Sequence, residues 1–323
     1  MSDNVLTSYL SNFDQYPFCV KIGQDEYKIG EGEPEFTVNF KRPVSMHSLM
    51  TSTSLALGEA YMDGDLEIEG DLYHALNHFL GQMGKFSTNE KALRKLIFPS
   101  MSRKNQEKEV QSHYDIGNDF YRLWLDDTMS YSCGYFQNEN DTLKQAQVGK
   151  VDYVLRKANL KEGMHLLDIG CGWGFLLMEA ARKYGVHGMG ITLSKEQYKE
   201  FQHRIKEEHL EHLLEVRLMD YRGLPKYGKL FDRVVSIGMV EHVGRGKYEE
   251  FMGCVKSVLK PGGIFLLHFI SGLKEYPGDA WIKKYIFPGG VVPSLREILQ
   301  TAGDMRFYTI GVESLRRHYN KTL

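Results

Sequence analysis

Cysteine is scarce in this 323-residue chain: Cys19, Cys133, Cys171 and Cys254 stand far apart, and no two form a CxxC pair. That excludes a zinc-ligand set and a disulfide framework, so no metal is expected and a reducing compartment fits. Charge of one sign is missing too. The 40 Lys and Arg against 42 Asp and Glu leave a net charge of −2, which gives no whole-molecule footprint for nucleic acid. Attraction to an anionic partner must therefore be local. No apolar run reaches the roughly 18 residues of a membrane-spanning helix. The opening MSDNVLTSYLSNFDQYPF also lacks the basic-then-apolar pattern of an export signal. A cytoplasmic protein is expected. What is there, 42% hydrophobic and 12% aromatic residues, suffices for one large core and a smaller second domain.

The first part of the chain reads as a small α+β unit over 1–90. Strand-like runs FCVKI (18–22) and FTVNF (36–40) flank the turn-rich GEGEPE, and a helical stretch and DLEIEG (65–70) follow. In DLYHALNHFLGQM, Leu72, Leu76, Phe79, Leu80 and Met83 recur at helical spacing, which is most simply core packing. A basic linker is placed at 91–112. Its KALRKLIFPSMSRK holds Lys91, Arg94, Lys95, Arg103 and Lys104 and no acid. The plain reading is a solvated helix; the sharper one is contact with anionic lipid headgroups.

After residue 150, strands alternate with helices, which argues for a mostly parallel sheet with helices on both faces. Candidate strands are 164–169, 186–191, 214–219, 232–237, 263–269 and 305–312; helices fit FLLMEAARKYG, SKEQYKEFQHRIKEEHL and KYEEFMGCVKSVLK. Ligands of such sheets bind outside the carboxyl ends of the strands. The first strand runs into Asp168-Ile169-Gly170-Cys171-Gly172-Trp173-Gly174. No lysine and hydroxyl follow as in a nucleoside-triphosphate loop, and the spacing is GxGxG rather than the GxGxxG of a dinucleotide site. An acid just before the turn suits a cationic cofactor without phosphate, and S-adenosylmethionine (SAM) is one.

The fourth strand ends at SIGMVEHVG (236–244), which sets Glu241 and His242 just past it, and the fifth carries His268 within LLHFI. Alone, the glutamate could be a helix cap and the histidine a core residue. Neighbouring parallel strands would bring Glu241 and His268 to one sheet edge, as a proton-handling pair. Upstream, HYDIGNDFYRLWLDDTMSYSCGYF (113–136) holds seven aromatics. Core packing explains most of them, while aromatic faces also stabilise cations and exclude water.

Taken in order, HYDIGNDFY, YSCGYF, LLDIGCGWGF, GITLSKEQ, SIGMVEHVG, LLHFI and HYNKTL resemble the cyclopropane fatty acid synthases and mycolic acid cyclopropane synthases, over roughly 105–323. The N-terminal part is similar to the bacterial synthases only, and its MDGDLEIEGD with the following helix more weakly resembles sterol-carrier-like lipid domains. The resemblance implies a Rossmann-like class I SAM-dependent methyltransferase fold over 113–323. It implies methylenation of a cis double bond in an acyl chain of a membrane phospholipid, through a carbocation deprotonated by bound bicarbonate. It assigns the bicarbonate to Cys133, Glu241, His268, Ile270 and Tyr319, with Cys133 and Ile270 contributing backbone groups. SAM contacts carried over are Tyr131, Ser132, Gly170, Gly172, Thr192, Leu193 and Gln197, with Asp220 and Tyr221 near the adenine. Asp168 and Gly174 are added from the turn itself.

The expected partner is the phospholipid bilayer surface at the inner face of the cell membrane, not nucleic acid, and a homodimer stays open. The chain stops directly after Tyr319-Asn320-Lys321-Thr322-Leu323, whereas family members continue for several tens of residues, so a fragment is expected. AWIKKYIFPGG (280–290) reads either as a lipid-entrance segment or as ordinary packing. Two other readings stay open: a related SAM enzyme that methylates the alkene without closing a ring, and a lipid-binding protein with an idle fold.

Overall fold

A computed structural model describes residues 2–89, 117–276 and 278–322, so the basic linker, and with it the start of HYDIGNDFY, lies outside the described residues. Two compact units result. Residues up to 89 and 278–288 form one; 117–276 and 289–322 form the other.

The N-terminal unit holds a four-stranded sheet in the order β2-β1-β3-β4. Strand β1 (Phe18–Ile22) pairs antiparallel with β2 (Asp25–Ile29) and parallel with β3 (Thr37–Phe40), which pairs antiparallel with β4 (Leu66–Glu69). Helices α1 (Ser2–Leu10), α2 (Met46–Thr51), α3 (Thr53–Met62) and α4 (Leu72–Leu80) complete it. Leu10, Phe13, Phe18, Val20, Val38, Phe40 and Leu49 form its core. Strand β2, DEYKI, was not expected. Its outward residues are charged because it is an edge strand, which removes the apolar alternation that marks a buried one.

Helix α4 corrects one expectation. Asp71 caps it, its side chain accepting from the backbone of Tyr73 and His74. The buried face is Ala75 and His78, with Phe79 packed edge-on against Phe13, Phe18 and Phe36. Leu72, Leu76, Leu80 and Met83 are exposed, between 37% and 52%. Periodicity identifies residues that share a face; it does not say that the core takes that face. Replacing Leu72, Leu76 and Leu80 with Ser is therefore expected to cost less than about 0.5 kcal/mol per site. Phe79→Ala should cost about 3 kcal/mol, and urea unfolding measures both.

The larger unit is an α/β sandwich. After α5 (Asn118–Arg122) and α6 (Leu143–Lys157) come β5 (His165–Ile169), α7 (Phe175–Tyr184), β6 (His187–Thr192), α8 (Lys195–Glu207), β7 (Leu214–Leu218), β8 (Phe231–Ile237), α9 (Val240–Val243), α10 (Tyr248–Val258) and β9 (Leu259–His268). The five strands run in the order β7-β6-β5-β8-β9, all parallel. Alternate residues of β5 serve opposite layers. Leu166 packs with Val151, Leu155, Leu177 and Phe201, while Leu167 packs with Val234, Phe251 and Val255, so helices cover both faces, as a parallel sheet requires. Chain order reverses between β5 and β8, and the crevice above that point is where a ligand belongs.

Past β9, α11 (Ala280–Tyr285), α12 (Leu295–Asp304) and α13 (Arg316–Thr322) follow. The strand expected at 305–312 does not form: Tyr308 and Ile310 are 94% and 80% exposed, and no described strand pairs with the segment. Without a neighbour its backbone has no ladder to join. Helix α11 sits in the N-terminal unit, a departure from the single domain expected over 113–323. Trp281 covers Gly58 of α3 so closely that a Cβ at 58 would overlap its ring, Tyr285 Oη donates to Glu59 Oε1 at 2.7 Å, and Lys284 pairs with the same carboxylate. This is the ordinary-packing alternative for 280–290.

Candidate active site

The residues expected to hold the cofactor converge on one cavity at the carboxyl ends of β5, β6 and β7. Tyr131, Ser132, Asp168, Gly170, Gly172, Gly174, Thr192, Leu193, Gln197, Asp220 and Tyr221 all line it. The glycine turn makes the space in two ways. Gly172 has φ +55°, and a Cβ there would meet nothing within 4 Å, so the position is open to a ligand. Gly174 has φ +86° and starts α7; a Cβ there would overlap the Phe201 ring, so it brings strand, turn and α8 together. Asp168, near the end of β5, is 3% exposed and its Oδ1 has no hydrogen-bond partner among the described residues. Burial pushes its carboxyl up to about 7, with the nearby Lys150 ammonium opposing. An orphaned buried carboxyl oxygen beside an open glycine turn fits a cationic ligand.

The other walls are built from local hydrogen bonds. Ser194 caps α8, accepting from Gln197 N at 3.2 Å, while Thr192 Oγ1 donates to Gln197 Oε1 at 2.8 Å and accepts from Ser194 N. The Asp220 carboxylate accepts from Arg222 N and Nε at 2.8 Å each and from Nη2 at 2.7 Å, so its charge is already matched. Tyr221 packs edge-on against Phe251, and burial raises its phenol pKa. Tyr131, held at about 12 by burial, lies against Trp124 and Tyr121, and Tyr121 packs on Trp173. Core packing accounts for Tyr121 alone among the aromatics of 117–136, fewer than expected: Phe120 and Trp124 are 44% and 42% exposed, Tyr135 and Phe136 are half-buried, and Tyr131 reaches the cavity.

The second group of expected residues is also brought together, beside the cavity rather than in its lining. Ile237 of β8 is in register with His268 of β9, and Glu241 follows in α9. Glu241 Oε1 accepts from Ile270 N at 2.7 Å. The Ile270 amide is therefore spent on Glu241, which leaves its carbonyl as the backbone group it can offer. Glu241 Oε2 and His268 Nδ1 are buried with no partner among the described residues. Burial pushes Glu241 up to about 7, and burial with the Lys150 charge holds His268 down at about 4. Tyr319, on α13, has its phenol pKa raised by burial and by the neighbouring Glu241 and Cys133. Helix α13 docks on the Cys133 segment: Thr322 Oγ1 accepts from Gly134 N at 3.0 Å and His318 Nδ1 from Phe136 N at 3.1 Å. Burial raises the Cys133 thiol pKa, which argues against a thiolate nucleophile.

The profile of a family described as mycolic acid cyclopropane synthetase matches residues 101–323. The chain belongs to that family. Membership makes it a SAM-dependent methyltransferase, and supports SAM-dependent cyclopropanation. A second profile, a domain of unknown function, covers residues 5–91. The chain is 37% identical to a probable fatty acid methyltransferase of Pseudomonas putida over 90% of this chain and 75% of that one. It is 39% identical to the cyclopropane-fatty-acyl-phospholipid synthase of Escherichia coli K12 over 84% of this chain and 70% of that one. Among solved structures, the mycolic acid cyclopropane synthase CmaA1 complexed with SAH and CTAB is similar with a TM-score of 0.62 and 38% identity, covering 67% of this chain and 80% of that one.

Sequence reasoning missed two residues of the site. Lys150 lines the cavity at 5% exposure, and Gln147, one turn earlier, ties Nε2 to the carbonyls of Ser132 and Ser130 at 2.8 and 3.2 Å. Lys150 shares one face of α6 with the buried Ala146 and Val154. A lysine on an apolar stripe was the available signal.

Proposed function

We propose that this synthase-family chain transfers a methylene group from SAM to the cis double bond of an unsaturated acyl chain in a membrane phospholipid, closing a cyclopropane ring, with bicarbonate accepting the proton. The observation that carries the reading is the placement of half-buried Glu241, His268 and Tyr319, with the Glu241 Oε2 and His268 Nδ1 atoms themselves buried, beside a cavity lined by Asp168 and the glycine turn. Bound SAM supplies a methyl group on a sulfonium. An alkene has no acidic group to activate, so the chain's task is to position it, keep water away and place a base near the developing cation.

The residues beside the cavity suit a small oxyanion. Glu241, fixed through Ile270 N, has a free Oε2 that would accept the hydroxyl of bicarbonate. His268, uncharged at neutral pH, has a ring nitrogen left over for an anion oxygen, and the raised Tyr319 phenol keeps its proton to donate. Tyr131, Trp173, Phe175, Met219 and Met239 give the cavity dry walls. We place the protein at the inner face of the cell membrane, acting on the bilayer surface. Among the described residues no helix is long and apolar enough to cross a membrane.

A second reading, methylation without ring closure, draws on the similarity to the Pseudomonas putida protein. Incubation with unsaturated phospholipid vesicles, SAM and bicarbonate separates the two. Cyclopropyl proton signals in the recovered fatty acids, with a gain of one methylene by mass spectrometry, are the expected result. A methyl branch, or an added methylene-type alkene, would replace this proposal with the second reading.

A further inference from the structure

Lys150 is a buried cation that forms no ion pair among the described residues. It is 5% exposed on the apolar face of α6. Among the described residues its ammonium makes one hydrogen bond, to Ser132 Oγ at 2.7 Å, and no ion pair. Two of its three donors are left over. Removing an ammonium from water is costly when its partners do not replace the lost hydration, and a methionine would fill the same volume without that cost. The arrangement makes sense if an anion arrives with the ligand.

The cavity narrows the choice of anion. Lys150 and Asp168 both line it without forming an ion pair with each other, and Asp168 Oδ1 is likewise unpartnered. Two unpaired opposite charges in one cavity match a zwitterion. The amino-acid end of SAM is one, with an α-ammonium and an α-carboxylate, and the carboxylate is the only anionic group that SAM carries. Ser132 adds a third element. Its oxygen accepts from Lys150, which leaves its own proton to donate. Gln147 holds the backbone on either side of that hydroxyl through the carbonyls of Ser130 and Ser132.

We propose that Lys150 and Ser132 bind the α-carboxylate of SAM while Asp168 takes the α-ammonium. This rests on the reading of the cavity as the SAM site, adds Lys150 to it, and assigns Ser132 and Asp168 to opposite charges of the ligand's amino-acid end. The groups facing Lys150 are Asp126, Cys133 and Asp168, which favour its charge, and His268, whose own protonation the ammonium opposes.

The test compares SAM with decarboxylated SAM, which keeps the adenosine, sulfonium and ammonium, by calorimetric titration in the absence of lipid. Lys150→Met is expected to weaken SAM binding at least about 10-fold, the range for a hydrogen bond to a charged group, and to leave decarboxylated SAM within about two-fold. In the unaltered protein, SAM affinity should fall more steeply as pH rises through about 8, where burial puts the Lys150 ammonium, than in the variant, in which only the ligand's own α-ammonium titrates in that range. Equal weakening of both ligands, or no weakening of SAM, would overturn the assignment. If the unaltered protein binds neither ligand, the SAM reading of the cavity fails and this proposal with it. Should Lys150→Met not fold, Ser132→Ala carries the same comparison, with a loss of about 3-fold or more expected for SAM alone.

Discussion

Glu241→Gln is expected to lower the rate of ring formation about 10²- to 10³-fold, the usual contribution of a residue that handles a proton or orients the base that does. The affinity for SAM should stay within about two-fold, because Glu241 is outside the cavity lining. Glutamine keeps the size of the side chain and an oxygen that can accept from Ile270 N, as Glu241 Oε1 does at 2.7 Å, so the loop after β9 should stay in place. What changes is the free Oε2, which becomes an amide nitrogen able only to donate. A bicarbonate hydroxyl facing that position would lose its acceptor. Rates on vesicles at saturating SAM and a separate titration of SAM check both halves. Full activity in the variant would remove Glu241 from the mechanism.

Gly174→Ala should be the most damaging single methyl group in the larger unit. The residue has φ +86°, where an L side chain is strained, and the added Cβ would fall within the Phe201 ring, which is fully buried in α8. Strain of about 1 kcal/mol then adds to overpacking of about 1–3 kcal/mol. A loss of about 3 kcal/mol in unfolding free energy is expected, with SAM affinity reduced as the turn shifts; guanidinium unfolding and SAM titration read them. Gly172→Ala is the control. Its φ is also positive but a Cβ meets nothing within 4 Å, so it should fold with a smaller loss and show its effect in cofactor binding. Comparable destabilisation by both would mean that backbone conformation, and not contact with Phe201, sets the cost.

The cavity was legible because its residues follow strand ends in sequence. An apolar run, an acid and three glycines identify the end of β5 wherever the sheet lies, and Thr192 and Asp220 follow from the next two strands. Placing Glu241 and His268 at one edge needed only the assumption of adjacent parallel strands, which the Ile237–His268 register bears out. Lys150 was less legible: its spacing with Ala146 and Val154 is a signal, but a charged residue in a helix rich in Lys, Arg and Gln reads as solvated until the packing of α6 confirms that face as buried. The face of α4, the pairing of β2 and the absence of a strand at 305–312 were likewise decided by neighbours distant in sequence.

Helix α11 has a practical corollary for dissecting the molecule. The polypeptide leaves the methyltransferase portion after residue 276, contributes Ala280–Tyr285 to the N-terminal portion, and returns by 289. A single cut at the linker cannot yield two intact halves. A truncated enzyme starting near residue 113 would carry Ala280 and Trp281 stripped of Leu55, Gly58 and Met62. Poor expression of that truncation would report an uncovered greasy surface, not a catalytic duty of the missing piece. A clean separation would also excise 278–288 and bridge the gap with a short flexible join.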